Sequence, residues 1–442
     1  MSRVLLVNAH WGGLFSGTVR RYNRRFVPLG LLNAASLLRA DGAEVTLWDA
    51  RVYPERRVGL RSAYDHIFVT LSSLDRWQCP NTDLDAMDRF LEAFPRDRLV
   101  LLGAQPTVQP DALLRRTGAR AVIVGEPEAT IQNMVAAPDA WSGMTGVATL
   151  EDDALVVGPA TPGLDLEQLP VPAFDLIDFQ DYRYEVLGGN MGVLELTRGC
   201  PWRCNFCLLA MYGKQYRRKR IDQMLREIRS AMTQGMECVY FHDLEFTLDH
   251  QLVTVFCEAL LTEGIALRWT CQTRPDTVTQ PLLALMKEAG CELIHFGVES
   301  GSESVLATTN KRQTLAAVEQ AVGWAHELGM RTLCFFLLGL PGETRADMDA
   351  TLAFARKLGP TYASFQAATP YPMTPYHEAG GFTEPFPTSF PGPLDTDALR
   401  ALARSFTMAY HLRPGYLMDR LRSTGTREAG REIGLMARYL FA

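Results

Sequence analysis

The chain alternates short apolar runs with amphipathic stretches from its first residues onward. Apolar runs read as strands at 4–7, 44–48, 67–71, 99–102 and 121–124, while helical periodicity covers 29–39, 84–94 and 111–116. Repeated strand–helix units of this length predict an α/β fold for residues 1–165, a Rossmann-like, doubly wound parallel sheet. Ligands on such sheets bind beyond the carboxyl ends of the strands, so the loops of interest are 8–13, 72–77, 103–107 and 125–128. Residues 166–192, with Leu169-Pro170-Val171-Pro172 at their start, read as an ordered connecting strap. The pattern then resumes, with strands at 193–196, 238–242, 267–272, 293–298, 331–338 and 362–368 and helices at 221–231, 252–263, 281–289, 315–328 and 345–358. These units predict a partial, TIM-like (β/α)6 barrel over 193–370, with functional groups at the strand C-termini. Residues 371–442 read as a small helical region that caps the barrel mouth, where substrate choice is expected to lie.

A length of 442 residues is enough for two or three domains with full cores. The formal charge of −6 gives no reason to expect a nucleic-acid partner. The one basic run, Arg217-Arg218-Lys219-Arg220, reads as the solvated entry to a helix with one arginine turned inward. The longest apolar run, 333–340, is far too short to cross a bilayer, so no membrane partner is expected. The chain enters a strand at once without a signal-peptide pattern, and its nine cysteines show no disulfide-framework spacing. Both features imply a reducing, cytoplasmic setting.

Cys200, Cys204 and Cys207 stand in Thr-Arg-Gly-Cys-Pro-Trp-Arg-Cys-Asn-Phe-Cys, a Cys-x3-Cys-x2-Cys spacing with Phe206 before the last cysteine. Three thiolates this close suit three irons of a 4Fe–4S cube and leave the fourth iron open to a small molecule. A zinc site would want a fourth Cys or His, and no second pair stands at finger spacing. The segment resembles the radical S-adenosylmethionine (SAM) superfamily, whose cluster chelates SAM at that open iron. The strand ends support the resemblance. They carry His242-Asp243-Leu244-Glu245, Gln272-Thr273-Arg274, Glu299-Ser300-Gly301 and Gly339-Leu340-Pro341-Gly342-Glu343. The resemblance implies that Asp243 or Glu245 meets the SAM amino group and Arg274 its carboxylate. It also implies that Glu299 and Ser300 meet the ribose, and that the backbone at Phe206 and Gly339 lines the adenine.

The first domain resembles the cobalamin (B12)-binding domain that precedes many radical SAM domains. The resemblance rests on Pro28-Leu29-Gly30-Leu31, Trp48-Asp49-Ala50, Gly103-Ala104-Gln105-Pro106 and Gly125-Glu126-Pro127-Glu128. It implies that Gly103, Ala104, Gln105, Gly125 and Glu126 line the corrinoid, and that the loop with Ser72, Ser73, Arg76 and Trp77 covers its lower face. A sheet that serves only as a scaffold, without corrinoid, stays open. In the tail, Met373 stands where the resemblance has glycine, which puts that loop's geometry in question.

The resemblance implies a cobalamin-dependent radical SAM enzyme that methylates an unactivated carbon of a small biosynthetic metabolite, using a 5′-deoxyadenosyl radical and methylcobalamin. An electron donor such as flavodoxin or ferredoxin would serve it. The alternative keeps the radical without cobalamin and starts diol dehydration, rearrangement or cyclisation, for example of an aminoglycoside sugar. That chemistry wants a proton donor, for which Tyr212, Tyr216 and Glu343 are candidates. A methylthiotransferase is not expected, since Cys79 is the only cysteine before Cys200.

Overall fold

Val4, Leu5, Leu6 and Val7 are all fully buried, so the first strand is covered on both faces, as a central parallel strand must be. The computed structural model describes residues 1–9, 25–54, 63–71, 84–382 and 387–422, together with 430 and 434. It divides into two compact units, one of residues 1–201 and 208–238, the other of 202–207 and 239–442.

In the first unit β1 (Arg3–Asn8) pairs in parallel with β2 (Glu44–Asp49) on one side and β3 (His66–Thr70) on the other. Strands β4 (Leu99–Leu102) and β5 (Ala121–Ile123) continue the parallel order β2-β1-β3-β4-β5. Helices α1 (Leu29–Ala40), α2 (Leu84–Leu91), α3 (Ala104–Val108), α4 (Pro110–Thr117) and α5 (Pro127–Ala136) complete the doubly wound domain. The strand order reverses between β1 and β3, which puts the ligand crevice of such a sheet at their carboxyl ends. The loops that flank this crevice fall largely at 10–24 and 72–83. Ser72, Ser73, Arg76, Trp77 and Cys79 therefore lie outside the described residues.

An antiparallel hairpin of β6 (Val147–Glu151) and β7 (Ala154–Val157) extends the sheet beyond the expected strands. Its turn, Asp152-Asp153, has φ of 47° and 66°, the paired left-handed geometry of a tight hairpin, built here without glycine. The strap is ordered, as expected. Ser36 Oγ donates to the Val171 carbonyl at 2.7 Å, the Ala173 N–H to the Leu32 carbonyl at 3.2 Å, and the Tyr182 hydroxyl to Asp49 at 2.6 Å. The unit continues through the hairpin of β8 (Arg183–Tyr184) and β9 (Gly189–Leu194), the short pair of β10 (Thr197–Arg198) and β11 (Arg217–Arg218), and helix α6 (Ile221–Thr233).

Two residues of the basic run turn inward, not one. The Arg217 side chain is 9% exposed and bonded to Glu126, and Lys219 is fully buried with its ammonium on Glu227 at 2.7 Å. The largest buried charge is Arg198 on β10. Its guanidinium meets Glu126 at 2.9 Å, Glu128 at 2.8 Å and Glu195 at 2.6 Å. Burial works against this charge, but Glu128, Glu195 and Glu126 together hold it well above the usual guanidinium value.

The second unit orders its strands β16-β15-β14-β13-β12, from β12 (Cys238–Phe241) through β13 (Arg268–Thr273), β14 (Cys291–Glu299) and β15 (Arg331–Leu338) to β16 (Tyr362–Ala367). The pairs from β13 to β16 are parallel, with α7 (His250–Thr262), α8 (Gln280–Glu288), α9 (Glu303–Thr308), α10 (Leu315–Glu327) and α11 (Arg345–Leu358) between strands. Phe241, Phe246, Phe256 and Trp269 pack together at ring distances of 5.2–6.3 Å and close the helix side of β12 and β13. Along β15 buried Thr332, Cys334, Phe336 and Leu338 alternate with partly exposed Leu333, Phe335 and Leu337, so one face is dry and the other open. After β16 come α12 (Pro375–Gly380) and α13 (Thr396–His411), whose Phe406 ring meets Phe365 edge-on at 5.7 Å. Met373 has φ of 67°, so the backbone keeps the left-handed form that glycine would take there.

Replacing Arg198 by methionine leaves three carboxylates buried around an uncharged side chain. The expected loss is about 3–5 kcal/mol of stability, read by urea unfolding at neutral pH. A loss below about 1 kcal/mol would mean that the carboxylates find other partners.

Candidate functional site

The cysteine segment begins on a backbone that only glycine can supply. Gly199 has φ of 87°, and a Cβ there would lie 2.1 Å from the Gln215 carbonyl oxygen. Arg198, just before it, is fixed to Glu126 at the end of the loop after β5 and to Glu128 in the first turn of α5. Glu126 is thus occupied by Arg198 and Arg217, and Tyr212 lies 5.0 Å beneath the Arg198 guanidinium as a buried stacking partner. Tyr216 is half-buried in the same unit.

Among the other residues expected to face a corrinoid, Gly103 has φ of 112° and opens α3, with Ala104 and Gln105 buried behind it. The Thr107 hydroxyl donates to the Gly103 carbonyl at 2.7 Å and accepts from the Gly125 N–H at 3.1 Å, which ties the two loops together. Gln105 donates to Gln109 at 2.6 Å, while its Oε1 is buried without a hydrogen-bond partner. A buried orphan acceptor beside a glycine-built backbone, at the carboxyl end of β4, fits a ligand rich in amide groups such as a corrinoid.

In the second unit, residues 202–207 are laced to the turn after α9. The Asn205 N–H donates to the Thr309 carbonyl at 2.8 Å, and its side-chain amide donates to the Thr308 carbonyl at 2.7 Å. The Asn310 amide donates to the Arg203 carbonyl at 2.8 Å, and the Tyr376 N–H to the Asn205 carbonyl at 3.1 Å. Phe206 packs against the apolar cluster of Val305, Leu340, Ala368, Tyr376 and Phe390, which includes the residue after Gly339. Gly339 has φ of 84°, and a Cβ on it would press on Leu399 at 2.7 Å.

Cys200, Cys204 and Cys207 are half-buried, whereas Cys238, Cys257, Cys271, Cys291 and Cys334 are buried. Among the described residues no three Cys, His, Asp or Glu side chains are gathered as a ready-made set around one metal ion. Three reachable thiols on one loop fit a cluster that spreads its ligands over several irons. The buried indole N–H of Trp202 has no acceptor, which fits a sulfur-rich group beside the loop. Burial pushes the Cys204 thiol up, against the pull of Lys311 and Arg274.

The acidic groups at the strand ends are engaged by protein partners. Glu245 accepts from Thr273 at 2.5 Å, Thr277 at 2.7 Å and the Arg274 N–H at 2.9 Å, and burial raises its carboxyl despite those bonds. Asp243 is fully buried. Glu299 sits at a bulge of β14 with φ of 71° and accepts from Lys311 at 2.5 Å. Ser300 bonds with Thr351 at 3.2 Å. Arg274 grips Asp276 with two nitrogens, at 2.8 and 2.6 Å. Sequence reasoning missed Thr273, Thr277, Asp276 and Lys311, because each acts through a neighbour that folding brings close. His295 is a core residue, 3.2 Å from Thr270 and tilted on Tyr240 at 5.5 Å.

Glu343 differs from these. Its Oε2 accepts from the Gly339 and Leu340 N–H groups, while Oε1 is buried without a partner. Burial pushes its carboxyl up to about 7, against the pull of those two N–H groups. A raised carboxyl stabilises the fold below its unfolded value and loses that contribution as pH climbs through the folded value. Between pH 5 and 8 the wild type is therefore expected to lose up to about 3 kcal/mol relative to Glu343→Gln, read as the difference in urea unfolding. A difference that stays flat with pH would make Glu343 an ordinary carboxylate.

Residues 194–355 match the family model described as the radical SAM superfamily. An uncharacterized methyltransferase of Pyrococcus horikoshii is 32% identical over 286 residues, which is 62% of this chain and 61% of that protein's length. Two solved structures share the fold. The radical SAM methyltransferase TsrM of Kitasatospora setae, with tryptophan substrate and a SAM analogue bound, aligns with a TM-score of 0.71 at 19% identity over 87% of this chain and 78% of its own. The cobalamin-dependent SAM radical enzyme OxsB, with aqua-cobalamin and SAM bound, aligns with a TM-score of 0.75 at 17% identity over 100% of this chain and 71% of its own. The family match runs from the end of β9, through the cysteine loop and the strands that carry the acidic and glycine-rich ends, into α11, so that this stretch of the chain is similar to the radical SAM superfamily.

Proposed function

We propose that this chain is a cobalamin-dependent radical SAM methyltransferase acting on an unactivated carbon of a small metabolite. The observation that carries the reading is the placement of candidate chemistry at strand carboxyl ends in both units. In the second, residues 202–207 are bonded to the segment after β14 and packed on the Gly339 loop after β15. In the first, Gly103 and the orphaned Gln105 acceptor sit at the end of β4 in a sheet of order β2-β1-β3-β4-β5. The methyltransferase name of the 32% identical relative, and the cobalamin bound in the OxsB structure, favour methyl transfer over a radical reaction without corrinoid.

Cys200, Cys204 and Cys207 would hold the cluster, and Gly103, Ala104 and Gln105 would face the corrinoid. When bound, the cluster supplies the electron that cleaves SAM, and the corrinoid carries the methyl group. The chain's own residues bind and shield. Phe206 and Leu340 present an apolar wall suited to adenine, and Gly339 leaves the room against that backbone that the Leu399 side chain fills. Glu343, its carboxyl raised by burial to about 7, is the proton donor that the cobalamin-free alternative would call on, and methyl transfer to carbon needs none. A low-potential protein such as flavodoxin or ferredoxin would deliver the electron. Among the described residues no helix is long and apolar enough to cross a membrane.

Anaerobic reconstitution with iron, sulfide and hydroxocobalamin, followed by desalting, tests the reading. The wild type is expected to keep about one equivalent of corrinoid, since the sheet offers one crevice, and to form 5′-deoxyadenosine from SAM. Cys204→Ala should abolish SAM cleavage. A brown, cluster-only protein that still cleaves SAM would return the reading to cobalamin-free dehydration or rearrangement, and a Cys204→Ala protein that still cleaves it would sink the cluster assignment.

A further inference from the structure

Arg274 is a charged side chain that touches two residues of the segment 202–207. Its Nη1 points at Cys204 Sγ at 3.9 Å, and its guanidinium carbon lies 4.1 Å over the Trp202 ring. The rest of the group is already held. Nε and Nη2 pair with the two oxygens of Asp276 at 2.8 and 2.6 Å, and Nη2 also donates to the Lys311 carbonyl at 2.5 Å. The Arg274 backbone N–H is tied to the buried Glu245 at 2.9 Å. The side chain is only 6% exposed. With the guanidinium gripped on one edge by a carboxylate, on one face by an indole and at one tip by a carbonyl, Nη1 is the nitrogen left unspent, and it lies against the sulfur.

This geometry differs from the role the sequence suggests, in which Arg274 grips the SAM carboxylate. The two-nitrogen edge that suits a carboxylate is spent on Asp276. The second cation near Cys204, Lys311, is likewise spent, on Glu299 and on the Gly297 carbonyl at 2.6 Å. Because both cations are paired, direction matters as much as charge. An N–H aimed at the sulfur of a cluster ligand draws off negative charge, and the reduced cluster carries one more negative charge than the oxidised one. Such a donor therefore favours the reduced state. Lysine could not substitute, since one ammonium cannot hold Asp276, the Lys311 carbonyl and sulfur in a fixed plane.

We propose that Arg274 is a positioning residue that donates a hydrogen bond to the Cys204 sulfur and thereby sets how readily the cluster accepts an electron from its low-potential donor. The proposal rests on Cys204 being a cluster ligand.

The experiment is an anaerobic potentiometric titration of the reconstituted cluster, followed by electron paramagnetic resonance. It is run on the full-length wild type, Arg274→Lys, Arg274→Gln and Asp276→Asn, with iron and sulfide content and the SAM dissociation constant measured on each. Arg274→Lys is expected to keep its iron and sulfide. Its reduced-to-oxidised ratio at a fixed potential should fall by about tenfold, a midpoint lower by about 59 mV for one electron. Arg274→Gln should fall at least as far. Asp276→Asn keeps the guanidinium but removes the anion that offsets it, so its midpoint should rise. Opposite shifts from two neighbours in one ion pair are not what general loosening of the loop produces. If the arginine variants fail to assemble a cluster, the rise in Asp276→Asn decides the case, and its absence overturns the proposal. Unchanged midpoints in cluster-bearing variants overturn it too. A SAM dissociation constant weakened tenfold alongside them would return Arg274 to the SAM carboxylate. A wild type that assembles no cluster, or Cys204→Ala with an undiminished cluster, removes the underlying reading and this proposal with it.

Discussion

A guanidinium buried among three carboxylates is the constraint on which the first unit depends. Arg198 stands one residue before Gly199 and two before Cys200, and three glutamates from separate parts of the unit converge on it. Glu195 comes from the turn after β9, Glu126 from the end of the loop after β5 and Glu128 from the first turn of α5. An isolated buried charge costs several kcal/mol, so none of these groups tolerates loss of its partners. Arg217 closes the set from β11 by bonding the same Glu126 and the Leu164 carbonyl of the strap. The start of the cysteine segment is thereby fixed to the Rossmann-like sheet by charge, in a place where apolar packing alone would leave its register loose.

The second unit follows a related logic with smaller energies. Glu245, Glu299 and Arg274, all at strand carboxyl ends, are held by hydroxyls, an ammonium and a carboxylate of the same unit. Carboxylates and cations fixed in this way need little reorganisation when a charged ligand arrives. The bulge that gives Glu299 a positive φ turns its strand end, a local strain held by the Lys311 bond and the neighbouring β15 pairing. Glu343 is the exception, with one oxygen capped by backbone N–H groups and the other without a partner, and its raised carboxyl is the result.

Much of this was legible in the residues. Apolar runs located β1 to β5 and β12 to β16 to within a few residues, because strands buried on both faces, such as β4, are almost wholly apolar and a half-open strand such as β15 is apolar here on both faces. The cysteine spacing and the glycines at 103, 199 and 339 could be read because covalent spacing and positive φ are local properties of the chain. The β6–β7 hairpin was not read, since its Asp-Asp turn lacks the glycine that usually marks such a turn. The inward turn of Lys219, beyond the one arginine expected, was also missed. A run of four basic residues looks solvated until Glu126 and Glu227 are placed beside it.

The sequence by itself therefore determined the two α/β halves, the three-cysteine loop and the inventory of charged groups at strand ends. Only the tertiary structure decided how those charges are used. Glu126 clamps Arg198 and Arg217, and Arg274 is held by Asp276 with its remaining nitrogen on Cys204. The physical reason is that strand formation follows from local periodicity. The use of a buried charge depends on which opposite charge folding brings within about 3 Å, for Glu126 across 72 residues to Arg198 and 91 to Arg217.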